Sequence, residues 1–361
     1  MSESDLRHLV SLGYSQRWAA RFAPFAEQGL LPGRVLRDDR GSSLVALELG
    51  VARARPSSAL VRRAAGPLDL PAAGDWVVVR PQDGLDVLPI EAVLERDGAI
   101  TRSRSGEPSD LQVLAANVDV VFVVHHLAGE PNLRRIEREL ALAWDSGAVP
   151  VLILTKADLA AAPERAAAQV TAIAPGVDVR LTSSVTGEGV VPLLGYADGH
   201  QTVALIGPSG SGKSTLINAM LGEDRQATQE VRVKDGRGRH TTVSRELVPL
   251  PNGGVLIDTP GLRSLGLTGS GEGLSPVFDD IERAATGCRF RDCTHSHEPG
   301  CAVRAAVEAG VLPAERLASY HKLRREAQVA AMKTDVRLRQ AETRKWKTIQ
   351  KSFRDYGRDK G

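Results

Sequence analysis

Residues 207–215 read Gly207-Pro208-Ser209-Gly210-Ser211-Gly212-Lys213-Ser214-Thr215, and the fold follows from how this stretch is read. An apolar run, Thr202-Val203-Ala204-Leu205-Ile206, leads into it, and Leu216-Ile217-Asn218-Ala219-Met220-Leu221 leads out with a helical pattern. Strand, glycine-rich turn and helix form the setting in which G-x-x-x-x-G-K-[ST] surrounds a polyphosphate. The glycines let the backbone aim successive N–H groups inward, and the helix N-terminus adds partial positive charge. Lys213 is expected to reach the β and γ phosphates, and Ser214 to bind Mg²⁺.

Upstream of the phosphate loop, strand and helix alternate, which predicts a parallel sheet covered by helices. Residues 118–124 form an apolar run interrupted only at Asp119. Pro131 then opens a helix with Leu133, Ile136, Leu140, Ala143 and Trp144 on one face, and Gly147 ends it. The apolar run 149–154 leads into Thr155-Lys156-Ala157-Asp158, and the run 177–181 into Thr182-Ser183-Ser184. Open α/β sheets bind ligands at the carboxyl ends of their strands, so both loops are candidate binding residues. In a [NT]-K-x-D loop the carboxylate accepts from the guanine N1–H and 2-amino groups, a donor pair that adenine lacks. Asp158 is therefore the expected specificity residue and Lys156 the one whose stem lies along the base, with Thr155 in place of the commoner Asn.

Downstream, residues 223–240 are rich in glycine and charge and end in Gly238-Arg239-His240-Thr241-Thr242. A threonine hydroxyl there, Thr242 or its neighbour Thr241, is expected to complete the Mg²⁺ shell. The apolar Val255-Leu256-Ile257 delivers Asp258-Thr259-Pro260-Gly261. Asp258 is placed to hold Mg²⁺ through water and the Gly261 N–H to sense a γ-phosphate, the parts of a nucleotide-dependent switch. Ras-like enzymes orient the attacking water with a Gln directly after that glycine; here Leu262 stands there and has no hydrogen-bonding group. His240 is the candidate to replace it, since a neutral imidazole accepts from water near neutral pH. The alternatives are that His240 caps its loop or that a partner supplies the missing group.

The remaining chain frames this core. With 361 residues, 42% apolar and 25% charged, the composition is that of two or three globular domains rather than of a disordered chain. Residues 1–32 carry an irregular helical pattern whose expected use is core packing. From Gly33 to about residue 100, short β-prone runs alternate with Gly, Pro and Asp, the texture of a small barrel. Arginines recur along it (Arg53, Arg55, Arg62, Arg63, Arg80, Arg102, Arg104), which suits an oligonucleotide-binding surface or simply a solvated one. A Ser/Gly/Pro stretch at 105–110 reads as a linker. All three cysteines fall in Cys288-x4-Cys293-x-His295-x5-Cys301. Three thiolates and an imidazole form a closed tetrahedral set suited to one structural Zn²⁺, with His297 as a competing fourth ligand. From Glu315 to Gly361, 14 Lys+Arg face 6 Asp+Glu, a local +8 in a chain of net +2. Beside Trp346, Phe353 and Tyr356 this basic arm suggests a polyanionic partner. No run of 18 apolar residues and no signal peptide is apparent, so the expectation is a cytoplasmic protein without a membrane partner.

The order of loops is unusual, because the base loop precedes the phosphate loop. Spatial convergence of strand ends is all the site needs, so a circular permutation preserves it. Ala116-Asn117-Val118-Asp119, TKAD, GPSGSGKS, GRHTT, DTPG and CRFRDCTHSHEPGCAV in this order resemble the circularly permuted, small-ribosomal-subunit-dependent GTPases of the RsgA (YjeQ) family. The resemblance implies an OB-fold-like β-barrel at 33–104, a permuted α/β P-loop GTPase domain at 110–270, and a zinc-binding, mostly helical domain at 275–361; the N-terminal helical extension at 1–32 departs from the family pattern. It further implies GTP, Mg²⁺ and Zn²⁺ as ligands and a monomer that hydrolyses GTP late in small-subunit maturation, stimulated by that subunit and its rRNA. The rival readings are a P-loop ATPase or kinase, and an RNA-binding scaffold that holds nucleotide without turnover.

Overall fold

The computed structural model describes residues 6–39, 41–82, 84–103, 111–223, 246–258 and 271–334. Two short helices, α1 (Arg7–Ser11) and α2 (Gln16–Ala26), precede the first strand. The barrel consists of β1 (Leu31–Asp39), β2 (Ser42–Leu47), β3 (Gly50–Pro56), β4 (Trp76–Val79) and β5 (Val87–Val93), with α3 (Ser58–Arg63) between β3 and β4. Its strand order is β1-β2-β3-β5-β4, and β4 closes it by pairing antiparallel with β1 from Leu31↔Val79 to Arg34↔Trp76. Closure removes the exposed edges an open five-stranded sheet would have.

The period-two alternation of strands decides which side chains fill this barrel. Val77 and Val79 of β4 point inward with Val35, Val45, Ala54 and Ile90. Trp76 and Val78 point outward, into a second core. There Trp76 meets Tyr14 and Trp18 with ring centroids at 5.1 and 5.9 Å. The N-terminal segment is thus packing material, as its pattern suggested.

A two-stranded ribbon, β6 (Ala99–Ser103) with β7 (Leu111–Ala116), follows the barrel; its strands pair antiparallel across the stretch that reads as a linker. Then come β8 (Val120–His126), α4 (Leu133–Asp145), β9 (Val149–Thr155), α5 (Pro163–Ile173), β10 (Asp178–Leu181), α6 (Val191–Leu194), β11 (Thr202–Ile206), α7 (Lys213–Leu221), β12 (Glu246–Pro249) and β13 (Val255–Asp258). The order β10-β9-β8-β11-β13 is parallel throughout, and β12 joins antiparallel to β13. One further pair, Arg37↔Glu246, continues β12 into β1, so sheet and barrel form a single eleven-stranded surface. Both faces of the parallel part are covered. Val121 and Val123 of β8 share a core with Ile136 and Leu140 of α4, while Phe122 and Val124 share one with Leu216 and Met220 of α7.

Four helices complete the described chain: α8 (Leu274–Val277), α9 (Asp279–Ala285), α10 (Ala302–Glu308) and α11 (Ala314–Thr334). They lie against α4 through a buried ionic knot. Arg316 of α11 reaches Glu137 at 2.8 Å, Asp280 at 2.9 Å and the Val277 carbonyl at 2.7 Å, over the Phe278 ring. Ser319 donates to the other Glu137 oxygen at 2.5 Å. Burial raises the Glu137 pKa, and Ser319 and Arg316 work against that rise.

A comparable strut ties barrel to sheet. Arg34 of β1, buried over Trp76, donates to the Leu12 carbonyl and, at 2.6 Å, to Thr202 at the start of β11. The Ala116-Asn117-Val118-Asp119 motif works at the same junction. Asn117 donates to the Gly74 carbonyl at 3.2 Å and accepts from the Asp97 N–H, and Asp119 accepts from the Thr202 N–H at 2.8 Å.

Candidate functional site

The phosphate loop joins β11 to α7, as its flanks require. Two glycines are fixed by geometry. Gly207 has φ +142° and a Cβ there would lie 2.2 Å from the Val124 carbonyl oxygen; Gly212 has φ +91° and a Cβ would lie 3.2 Å from Thr155 Oγ1. Only glycine fits so close to neighbouring strands at positive φ. Pro208, Ser209, Gly210 and Ser211 complete the turn, and Ser214 and Thr215 lie in the first turn of α7. The Lys213 ammonium folds over the loop, donating to the carbonyls of Gly207 at 2.9 Å and Pro208 at 2.6 Å. It is therefore held at the mouth of the turn, where polyphosphate oxygens would compete for it.

The base loop stands beside it. Thr155, at the end of β9, is buried, and its hydroxyl donates to the Ser211 carbonyl at 2.5 Å, with the His125 carbonyl at 3.2 Å. A hydroxyl thus ties base loop to phosphate loop at the position where Asn is commoner. Lys156 follows at φ +58°, a left-handed conformation rare outside glycine. A short 3-10 turn, Ala157–Leu159, then leaves Asp158 exposed at the carboxyl end of the sheet. The Ala157 N–H donates to the Thr182 carbonyl at 3.1 Å, which sets Ser183 and Ser184 alongside the same loop. Ser183 is buried, and its hydroxyl accepts from the Thr186 N–H at 3.2 Å.

Sequence reasoning missed the side chains beneath these loops. β8 runs two residues further than its apolar run, to His125 and His126. His125 Nε2 lies 2.7 Å from Glu139 of α4, whose other oxygen accepts from Arg135 at 2.9 Å. His126 has its pKa lowered by burial, with the Lys156 and His125 charges adding to that effect. Glu137 and Glu139 are both buried on α4. The only local signal is two carboxylates on the apolar side of an amphipathic helix.

His240, Thr241, Thr242, Thr259, Pro260, Gly261 and Leu262 lie outside the described residues, as does the side chain of Asp258, whose backbone ends β13. So do Arg104 and the arm beyond residue 334 with Trp346, Phe353 and Tyr356. Of the barrel arginines, Arg53 and Arg55 alternate with buried Ala54 on β3 and are exposed, as is Arg62 on α3. Arg80 is exposed too but pairs with Glu91 at 2.9 Å.

A second constellation gathers between α9 and α10. The ligand atoms of Cys288, Cys293, His295 and Cys301 all lie within 4.8 Å of one another. His295 presents Nδ1 at 3.6 Å from Cys288 Sγ and 3.5 Å from Cys301 Sγ, whereas His297 is exposed. For Cys288 burial acts upward, but N–H groups of Val303 and Ala302 at the start of α10 prevail and the thiol pKa is lowered, whereas burial pushes the Cys293 thiol up to about 11. Burial lowers the His295 pKa, favouring a neutral imidazole. Deprotonated sulfur and neutral nitrogen are the forms a metal takes. The donor set fits a closed tetrahedral site.

These features define a P-loop nucleotide-binding protein in which the base loop comes before the phosphate loop along the chain. A family model described as "RsgA GTPase" matches residues 93–268, and one described as "50S ribosome-binding GTPase" matches residues 202–357. The chain is 50% identical over 347 residues to the small ribosomal subunit biogenesis GTPase RsgA of Streptomyces coelicolor, covering 95% of this chain and 93% of that one. It is 43% identical over 362 residues to the protein of the same name from Opitutus terrae, covering 98% and 99%. Among solved structures, YjeQ from Thermotoga maritima aligns with a TM-score of 0.62 at 26% identity, covering 82% of this chain and 98% of that one. YloQ, titled a circularly permuted GTPase, aligns at 0.58 and 25%, covering 83% and 95%. The chain belongs to the RsgA family of GTPases, and its reaction is the hydrolysis of GTP.

Proposed function

We propose that this GTPase acts in the late maturation of the small ribosomal subunit, turning over GTP when docked on that subunit. The carrying observation is similarity along nearly the whole chain to relatives named for that subunit. The description naming the 50S subunit covers residues 202–357 alone. In this reading the barrel, with exposed Arg53, Arg55 and Arg62, and the basic arm contact rRNA. The protein works as a cytoplasmic monomer divided as the sequence suggests. Among the described residues no helix is long and apolar enough to cross a membrane.

Asp158 selects guanine, Lys156 lies along the base, and Ser183 and Ser184 border it. Loop N–H groups and Lys213 take the phosphates. Ser214, Thr242 and Asp258 would hold Mg²⁺, which when bound offsets charge on the β and γ phosphate oxygens. The Gly261 N–H senses the γ-phosphate. Cys288, Cys293, His295 and Cys301 would hold one Zn²⁺ in a structural role.

His240 accepts a proton from the attacking water or orients it. Such a group contributes about 10² to 10⁴ in rate. His240→Ala should therefore keep GTP binding and lose most of the stimulated turnover, while an unchanged stimulated rate would assign the water to the ribosome. Hydrolysis of GTP and of ATP, each with purified small or large subunits, tests the whole reading. Stimulation of GTP turnover by the small subunit alone is expected; equal ATP turnover, or stimulation by the large subunit, would overturn it.

A further inference from the structure

The loop that carries His295 is organised by a carboxylate outside the ligand set. Glu298 accepts four hydrogen bonds. Its Oε1 takes the Thr294 N–H at 2.9 Å and the Thr294 hydroxyl at 2.5 Å; its Oε2 takes the N–H groups of Ser296 at 3.0 Å and His297 at 3.1 Å. The donors flank His295 on both sides, so the backbone at 294 and at 296–297 is drawn to one point. His295 between them has φ +62°, a left-handed conformation that a residue with a Cβ adopts only when its surroundings impose it. With that backbone the His295 ring turns inward to the thiols and is buried, while His297, its own N–H held by the same carboxylate, stays exposed. The bonds, led by that from the Thr294 hydroxyl, hold the Glu298 carboxyl well below the usual range.

Two histidines one residue apart compete for one coordination position in this loop. Nothing in the spacing of the cysteines chooses between them. We infer that Glu298 is the positioning residue that selects His295 over His297 as the fourth ligand of the Cys₃His centre. This builds on the reading of the centre as a metal site. The selection works because an acceptor with two oxygens satisfies donors on either side of His295 at once. Glutamine fills the same space but replaces one oxygen by an NH₂ group. Whichever way the amide turns, a donor then faces either Thr294 or the Ser296–His297 pair.

The test uses the full-length chain loaded with Zn²⁺, with release to a chromogenic chelator followed in time, and the Co²⁺-substituted chain followed by its visible spectrum. Partners that orient metal ligands change affinity by roughly 10- to 100-fold when removed. Glu298→Gln is expected to release Zn²⁺ faster by a factor in that range and to alter the Co²⁺ ligand-field bands. In the native background His295→Ala should accelerate release strongly and His297→Ala should not. In the Glu298→Gln background the two should become similar. If Glu298→Gln retains no metal on purification, Thr294→Val removes one donor, keeps the carboxylate, and should accelerate release several-fold. Release rates and spectra matching the native chain in both Glu298→Gln and Thr294→Val would overturn the inference. A native chain that binds neither metal would overturn the metal reading itself, a distinguishable result.

Discussion

The phosphate loop and the cysteine cluster are both tight turns ending at a helix N-terminus, yet they are shaped from different distances. The cluster's ligands, the carboxylate that gathers its loop and the N–H groups over its thiols all fall between residues 288 and 303. The phosphate loop takes its form from Val124 and Thr155, which lie on two other strands of the sheet. One site is formed within the C-terminal helices, where Tyr320 of α11 packs on His295, and the other is braced by the sheet. A site confined to those helices should be separable from the nucleotide site, and a braced one should not be separable from its sheet.

Metal removal gives the largest expected effect. Structural zinc in small motifs contributes roughly 10 to 16 kcal/mol of apparent binding free energy. A chelator should therefore unfold α9 to α11, seen as a lost calorimetric transition, while GTP affinity changes little. Loss of GTP binding in parallel would erase the distinction drawn here.

A smaller effect is expected where the C-terminal helices meet α4. Arg316→Met leaves Glu137 buried beside Asp280 without its guanidinium, and breaking such a pair is worth about 3 to 5 kcal/mol. The sign of the pH dependence follows from Glu137, whose folded pKa burial already raises. Protons then favour the folded state, so its contribution is present below the unfolded glutamate value of about 4.3 and lost as pH rises through the folded value. The Arg316→Met variant should accordingly lose most stability at neutral pH and recover part of it towards pH ~4.5, and adding Glu137→Gln should restore stability at pH 7. Urea titrations at the two pH values decide this, and an equal loss at both would show that Glu137 is not the group involved.

The smallest effect sharpens the bracing itself. Thr155→Val keeps shape and burial but leaves the Ser211 carbonyl without its donor, a loss of about 1 kcal/mol or somewhat more, roughly five- to tenfold in GTP affinity. Thr155→Ser should be near native, and the metal content of both should be unchanged. Equal affinity of the Val and native proteins would mean that the phosphate loop holds its form alone.

The same contrast explains what the sequence revealed. The glycine turn, TKAD and the cysteine spacing are local patterns, and each stands on the element its flanks imply. Closed-barrel texture and the parallel alternation were legible for the same reason, since period-two and helical periodicities are local too. Glu139 beneath His125, Arg316 against Glu137, and Arg34 joining Leu12 to Thr202 were not, because each pair is made by the fold and leaves no periodicity. β3, with Arg53 and Arg55 alternating about a single buried alanine, has too little apolar content to announce a strand. β6 and β7 flank a polar stretch that reads as a break, although each pairs with the other.

The order of strands also bears on how the molecule is made. Chains emerge during synthesis at about 5 to 20 residues per second, and segments fold as they become complete. Every rung of the barrel lies between Leu31 and Val93, so it can close before any strand of the GTPase sheet exists. After the β6–β7 ribbon come β8, β9 and β10, with β9 pairing to β8 and β10 to β9, which makes them a ready template. β11 then docks along the free edge of β8, and the two strands that shape the phosphate loop from outside, β8 and β9, are in place before the loop is synthesised. The Arg37↔Glu246 rung is made last among these, so a finished barrel waits for more than 150 residues before the sheet reaches it. Permutation therefore gives the growing chain a mould first and its nucleotide loop second.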